Sequence, residues 1–284
     1  THLPALQFPV VVKARRLSAS RGVIRADDPD ALVRAVSWVR AIQSRADRDA
    51  RELGLVIEEF IPGREYALEG TLGDDGLTVL ALFDKPDPLD GPYFEETLYV
   101  TPSRLSGELQ RRVHQEVARA CSAAGLETGS IHAEVRVNER GIWILEVAPR
   151  SIGGLCGRML THSLGMTLEE RILRQAIGAP TSMQGADDAK GVMMIPVPRR
   201  GIYQRLEGLS AAESVPGVTG VTITAQIGQI IAPPPDGTSY LGFIFARATR
   251  PEDAERALRM AHHRLRFDIR PEYPAIRASE TERT

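Results

Sequence analysis

The sequence predicts an α+β protein in two units, a larger one up to about residue 178 and a smaller strand-rich one spanning 179–284. Three observations carry this. Short apolar, β-branched runs such as FPVVVK (8–13) and LVIEEFI (55–61) are interleaved with stretches of helical spacing, in which Leu105, Leu109, Val113 and Val117 recur every fourth residue. At Gly178-Ala179-Pro180 the character changes to strand runs punctuated by Pro and Gly. A length of 284 residues fits one large or two modest domains better than a single small core.

Taken in order, FPVVVK reads as a buried strand and GVIRA (22–26) as its hairpin partner, joined by the small, polar and basic ARRLSAS. Asp28 caps the next helix and Pro29 occupies its first turn, with Leu32, Val36 and Val39 on one face. LVIEEFI and EYALEGTL are strands separated by Pro62-Gly63, and GLTVLALFDK continues the sheet after the turn at residues 73–76. The helix begun near Leu105 runs to about Gly125, SIHAEVRVNERGIWILEVAP forms a hairpin, and residues 167–178 form another helix. In the second unit GVMMIPVP, GVTGVTITAQIGQIIAPPP and YLGFIFARA are strand-rich, a helix runs from Pro251 to about Leu265, and the polar tail ASETERT is expected to fray.

A composition of 43% hydrophobic and 25% charged residues is that of a soluble globular protein. The net charge of −2, without a basic stripe, gives no reason to expect nucleic acid. No apolar run approaches the roughly 18 residues of a membrane span. Cys121 and Cys156 are too few for a disulfide framework or a cysteine metal site, and a cytoplasmic location is the default expectation. The opening THLPALQFPVVVK lacks Met and the regions of a signal peptide, so an upstream portion is expected.

The hairpin is the most informative stretch. Ile131, Ala133, Val135 and Val137 alternate with His132, Glu134, Arg136 and Asn138, giving one apolar and one polar face. Read with a three-residue turn, Glu139-Arg140-Gly141, Asn138 pairs with Ile142 and Glu134 falls opposite Glu146. Two carboxylates facing each other across a sheet repel, so a cation is expected between them. Magnesium suits such hard oxygen ligands and leaves its remaining positions to water and phosphates. Arg150 projects on the side of Glu146, while Trp143, Leu145 and Val147 are expected to face the core. A solvated strand face on which the acids pair with Arg136 would give the same pattern, and a two-residue turn would separate the acids. His132 reads first as a hydrogen-bonded strand histidine.

Two upstream segments have a nucleotide-like character. Lys13 ends a buried strand and is followed by LSASRGV, a cation beside a small-residue loop whose amides can approach phosphate oxygens. It lacks the spacing of a P-loop, and a lysine capping the strand is the alternative. VIEEFIPGREYALEG ends a strand in two acids before a Pro-Gly turn, so a free backbone edge could pair with an adenine ring. A hairpin with charged edges against aggregation would look alike.

Together, Lys13 with SASRGV, then EEFIPGRE, then HAEV with LEVAPR, resemble the ATP-grasp superfamily over roughly residues 8 to 178. The resemblance implies an ATP site between two α+β lobes, about 1–62 and 63–178. It assigns Lys13 to the α/β-phosphates and the Ser20-Arg21-Gly22 loop to closure over the phosphates. Glu58 and the backbone of Glu59 to Ile61 would hold adenine, and Glu65 the ribose. Glu134 and Glu146 would hold Mg2+, with Mn2+ as a substitute, and Arg150 would stabilise the transferring phosphate or an acyl phosphate.

Two departures stand out. Many relatives carry Asn where this chain has Ala148, which leaves the number of metal ions open. The usual amino-terminal α/β domain, with its earlier ATP-contacting lysine, is absent from this chain.

The long segment DKPDPLDGPYFEETLYVTPSRL (84–105), expected to be a crossing loop, and SIGGLCGR (151–158) resemble the dipeptide-forming L-amino-acid ligase branch. So does the PVPRRGIY, PGVTGV and YLGFIFARA pattern, as that branch's small carboxy-terminal α+β domain. That likeness implies a carboxylate–amine ligase with small-molecule substrates and acyl-phosphate chemistry. It places Glu95 or Glu96 at a substrate ammonium, and Arg150, Ser151, Gly153 and Gly154 near the carboxylate. Arg158 is assigned to substrate or to a surface ion pair. A purine-pathway carboxylating enzyme shares the ExAPR form, and a non-catalytic nucleotide-binding module is a further alternative. Biotin carboxylase fits less well, because no biotinyl-lysine module follows. A homodimer is left open.

Overall fold

Val10, Val11 and Val12 have β-branched side chains that suit a pleated strand, and in the computed structural model they open β1 (Val10–Ala14). The structure describes residues 6–46, 54–181, 188–237 and 240–272, so the expected frayed tail lies outside the described residues. β2 (Val23–Ala26) returns antiparallel to β1 as expected. The Asp28 carboxylate accepts the Ala31 N–H at 2.7 Å, capping α1 (Pro29–Ala46). Ala35, Val39 and Ile42 bury one face of that helix, while Leu32 and Val36 pack at its margin. β3 (Leu55–Glu59) pairs with the other side of β1, completing a three-stranded sheet in the order β2-β1-β3.

β4 (Arg64–Gly73) and β5 (Gly76–Asp84) form a hairpin through Asp74-Asp75. The segment read as one crossing loop contains a strand, β6 (Leu98–Thr101), whose four residues are all buried. Its LYVT sequence is β-prone and apolar, and the prolines around it obscured the strand. Ser106 then caps α2 (Gly107–Ala123), which buries Val113, Val117 and Cys121. Burying such a side chain stabilises by roughly 1.5–3 kcal/mol.

β7 (Gly129–Asn138) and β8 (Gly141–Ala148) are the expected hairpin. A 3-10 turn at Cys156–Leu160, the short α3 (Thr161–Leu164) and α4 (Leu168–Ala176) follow. The chain continues through β9 (Ala189–Ile195), β10 (Gly201–Glu207), α5 (Leu209–Glu213), β11 (Val218–Ile223) and β12 (Ile230–Ile231). It ends with β13 (Gly242–Ala248), α6 (Pro251–Arg264) and β14 (Arg266–Arg270).

The α+β class is borne out, and β6 joins the two halves of the chain. It pairs with β5 on one side and β9 on the other, giving an eight-stranded sheet ordered β11-β13-β9-β6-β5-β4-β7-β8. Strands from before and after residue 178 thus share one sheet. α2 packs beside β4, β5 and β7 around Leu68, Val117 and Val135. α6 packs on β9 and β13 around Ile195, Ile244 and Leu258. The turn at Cys156–Leu160 and α3 cover the opposite face, where Leu160 and Leu164 share a core with Phe243 of β13. A small sheet, β12-β10-β14, completes the fold.

Candidate active site

Glu134 and Glu146 do face each other, by a different route from the one expected. Asn138 pairs with Gly141, so the hairpin closes through a two-residue turn, Glu139-Arg140. Taken alone this turn would put the acids out of register. The ladder then slips between Val135, which pairs with Ile144, and Glu134, which pairs with Glu146, leaving Leu145 as the extra residue of a β-bulge. The bulge also changes the expected core face of β8, which holds for Val147 but not for Trp143 and Leu145. Ile142, Ile144 and Val147 pack against the α2 side, whereas Leu145 lines a cavity and Trp143 lies under the Arg140 guanidinium at 5.1 Å.

That cavity, about 570 Å3, runs between the small β1 sheet and the large one. Lys13, Ser20, Arg21, Glu58, Glu59 and Ile61 line it from the amino-terminal part of the chain, and Lys13 is ion-paired with Glu58. Ala19 and Ser20 both have positive φ, +56° and +54°, an arrangement rare for residues with a Cβ. Gly22 stands behind this loop, outside the lining. A Cβ there would lie 3.1 Å from that of Ala14 at a φ of +71°, so the tight return to β1 favours glycine.

Glu134, Glu146, Arg150, Ser151, Gly153 and Gly154 line the same cavity. Arg150 is 3.6 Å from Glu146, and both side chains are about half exposed. Ile152, Cys156, Tyr99, Met194 and Tyr240 also line the cavity, Met194 and Tyr240 coming from the carboxy-terminal unit. Burial pushes the Cys156 thiol up, as expected for an inert packing residue.

Of the two candidate loop acids, Glu96 lines this cavity, and Glu95 sits in a small adjoining hollow with Phe94 and Tyr240. Arg158 is not brought to the site. The 3-10 turn aims Cys156 inward and carries Arg158 to a separate hollow beside Lys190 and Arg247. Glu65 lines the cavity, but its oxygens hold Lys85 at 2.6 Å and Arg136 at 3.0 Å. Each oxygen thus accepts one internal hydrogen bond and keeps a second lone pair.

A charged network that the sequence did not reveal runs through the lining to Lys85 and Glu69 behind it. Lys85 reaches Glu65, Glu96 and Glu134. Arg136, taken as a surface pairing partner, is 2% exposed. It donates to the carbonyls of Ile61 (2.6 Å) and Leu89 and stacks on Phe60 at 4.9 Å. Glu69 is fully buried and accepts from His132 Nδ1 at 3.1 Å and from the Ile152 N–H at 3.0 Å. The legible signal was Glu69 itself, a carboxylate in the middle of the apolar run YALEG.

Electrostatics separate these acids. Burial pushes Glu96 up, Lys85 opposes and Glu134 adds, leaving it at about 7. Burial also disfavours the Glu134 anion, but Lys85 and His132 outweigh it and hold that carboxyl well below its ordinary range. Burial drives Glu69 up against the opposing His132 and Ile152 contacts.

A divalent cation fits the Glu134–Glu146 pair. Both side chains line the same cavity from opposed positions, both offer hard oxygen donors, and Glu134 is held ionised, as a metal ligand must be.

Residues 6–159, more than half of the chain, match the family described as ATP-grasp domain. Residues 193–270 match L-amino acid ligase C-terminal domain 2. The crystal structure of L-amino acid ligase from Bacillus licheniformis superposes with a TM-score of 0.82 at 29% identity, covering 94% of this chain and 66% of that one. The uncharacterized protein y4rH of Sinorhizobium fredii is 24% identical over 266 residues, 93% of this chain and 54% of the relative. Alanine–anticapsin ligase of Bacillus amyloliquefaciens is 24% identical over 175 residues, 53% of this chain and 35% of its own length. The chain thus spans about half the length of y4rH and a smaller share of the anticapsin ligase. Among the described residues no helix is long and apolar enough to cross a membrane.

Proposed function

This chain belongs to the ATP-grasp family, and we propose that it carries the ATP site and the carboxylate-activating site of a carboxylate–amine ligase. Its substrates are L-amino acids or a related carboxylate and amine. The observation that carries the reading is the single cavity that the opposed Glu134 and Glu146 share with Lys13, Ser20 and Arg21 and with Met194 and Tyr240 of the ligase-type carboxy-terminal unit.

In this reading Glu58 and the Glu59–Ile61 backbone receive the adenine ring, and Lys13 with the Ser20-Arg21-Gly22 loop receives the phosphates. A substrate carboxylate oxygen attacks the terminal phosphorus of ATP. The bond to the bridging oxygen breaks, ADP leaves, and an acyl phosphate forms. The amine then attacks the acyl carbon, phosphate leaves with the bonding electron pair, and the nitrogen loses a proton. A divalent cation on Glu134 and Glu146 would neutralise phosphate charge. Arg150, beside Glu146, supplies fixed positive charge where the phosphoryl group passes. Ser151, Gly153 and Gly154 let backbone approach the carboxylate, and Glu96 lies where it can meet a substrate ammonium. Ile152 is tied to Glu69, which keeps this stretch in place.

The test is ADP and phosphate release by the full-length protein across amino-acid pairs, with and without Mg2+. Release that needs an amine and Mg2+, and that falls at least about a hundredfold in Glu146→Gln, supports the reading. Nucleotide binding without turnover across the panel sinks it and favours a nucleotide-binding module.

A further inference from the structure

We propose that Lys85 is a positioning residue whose buried ammonium fixes Glu134 in place for the divalent cation. This rests on the functional reading above, through the part it gives Glu134.

Lys85 directly follows β5, and its backbone N–H donates to the Glu65 carbonyl at 3.3 Å. Its side chain is 3% exposed, and Lys85 is not among the residues lining the cavity. An ammonium has three donors. Those of Lys85 meet Oε1 of Glu65 at 2.6 Å, Oε1 of Glu96 at 2.6 Å and Oε1 of Glu134 at 3.1 Å, so none remains for a ligand. The three carboxylates come from β4, from the segment before β6 and from β7, and the Lys85 nitrogen ties those elements together at one atom.

Ligand oxygens of Glu65, Glu96 and Glu134 lie within 4.8 Å of one another, a spacing that would suit a metal ion. The cation already at that point is the ammonium of Lys85. It cancels part of the mutual repulsion of three acids and sets where Glu134 can stand. The Tyr99 ring, 5.3 Å from the nitrogen, closes the site from a further side. Partners standing behind a metal ligand commonly govern its affinity in this way.

Full-length wild type, Lys85→Met and Lys190→Met are first checked for folding by circular dichroism and thermal melting. Each is then titrated with Mn2+ in the presence of a non-hydrolysable ATP analogue, reading free Mn2+ by electron paramagnetic resonance. Lys190 is the control, a buried lysine bound to Ser163 at 2.6 Å and away from the cavity. Mn2+ affinity about tenfold weaker in Lys85→Met and unchanged in Lys190→Met is the expected result. Equal or tighter binding by a folded Lys85→Met overturns the positioning role alone. A wild type that binds no Mn2+ with the analogue overturns the functional reading and this proposal with it.

If Lys85→Met does not fold, wild type answers the question, because lysines are few, only Lys13, Lys85 and Lys190 among these 284 residues. With lysine labelled at 13Cε, the Lys85 signal is assigned by replacing the other lysines with arginine in turn. The Lys85 signal is expected to move when Mg2+ and the analogue saturate the site. A Lys85 signal unmoved at saturation refutes the proposal.

Discussion

His132 makes folding of the metal-free protein pH-dependent above neutrality. Its side chain is 5% exposed on β7, and burial alone would lower its pKa. Two carboxylates outweigh that. Nδ1 lies 3.1 Å from Glu69, a hydrogen bond, and Nε2 lies 3.8 Å from Glu134, too long for one but close enough for strong attraction. Together they raise the imidazole from 6.5 to about 9. Below 6.5 both folded and unfolded states are charged and the contribution to stability is full. As pH rises through about 9 the folded state loses its proton too, and the contribution is gone.

At about 1.4 kcal/mol per pKa unit, the interval corresponds to roughly 3 kcal/mol as an upper bound. Urea denaturation of wild type and His132→Gln, in chelator and without nucleotide, measures it. Wild type is expected to lose on the order of 2–3 kcal/mol more than the variant across that range. Glu96, also raised, contributes with the same sign, but its loss runs from 4.5 to about 7, so the interval above pH 8 isolates His132. Equal pH slopes for the two proteins there would refute the assignment of charge to this histidine.

Arg136→Met removes a guanidinium that holds Glu65 and the carbonyls of Ile61 and Leu89. An unfolding free energy lower by about 3–5 kcal/mol is expected, and a loss under about 1 kcal/mol would contradict its structural weight. Gly70→Ala places a Cβ 2.8 Å from the Thr78 carbonyl oxygen, beside the slip in the β4–β5 ladder. The overcrowding is expected to destabilise by about 1–3 kcal/mol, and an unchanged urea midpoint would show that the strand yields freely. Deleting Leu145 removes the bulge while leaving Ile144 against Val135 and Glu146 against Glu134. The folded deletion variant should therefore keep divalent-cation binding in the Mn2+ titration, and its loss would mean that the bulge shapes the site beyond setting register.

The parts of the site legible in the sequence are those fixed by local order along the chain. Lys13, Glu58, Glu134, Glu146 and Arg150 each belong to a short stretch whose strand or turn character is visible, and the structure brings all five to one cavity. Lys85, Arg136 and Glu69 were not legible as a set, because their meaning comes from contacts 11 to 83 residues away in sequence. A lysine in DKPDP and an arginine in AEVRV carry ordinary surface composition. Only folding shows that one is surrounded by carboxylates and the other by carbonyls and rings. β6 was hidden for a similar reason: four apolar residues between prolines become a strand only because β5 and β9 supply partners on both sides.

The hairpin shows how far register can be read from one strand pattern. Which residues oppose each other deep in a hairpin depends on the sum of extra residues between them, wherever they lie. One residue added to the turn and one added as a bulge give the same partner for Glu134, so the sum was legible and its location was not. The phase of β8 could have located it, but Ile142, Trp143, Ile144, Leu145 and Val147 are all apolar and mark no face. In β7 polar residues alternate strictly and the phase is clear. The location matters chemically. A longer turn would have kept Leu145 against the core, whereas the bulge delivers it to the cavity wall beside Glu146. Each metal-side carboxylate then differs in its support: Glu134 is anchored from behind by Lys85 and His132, and Glu146 stands half exposed with Arg150. In the proposed reaction that asymmetry would place the rigid ligand on β7 and the adjustable one where the phosphoryl group passes.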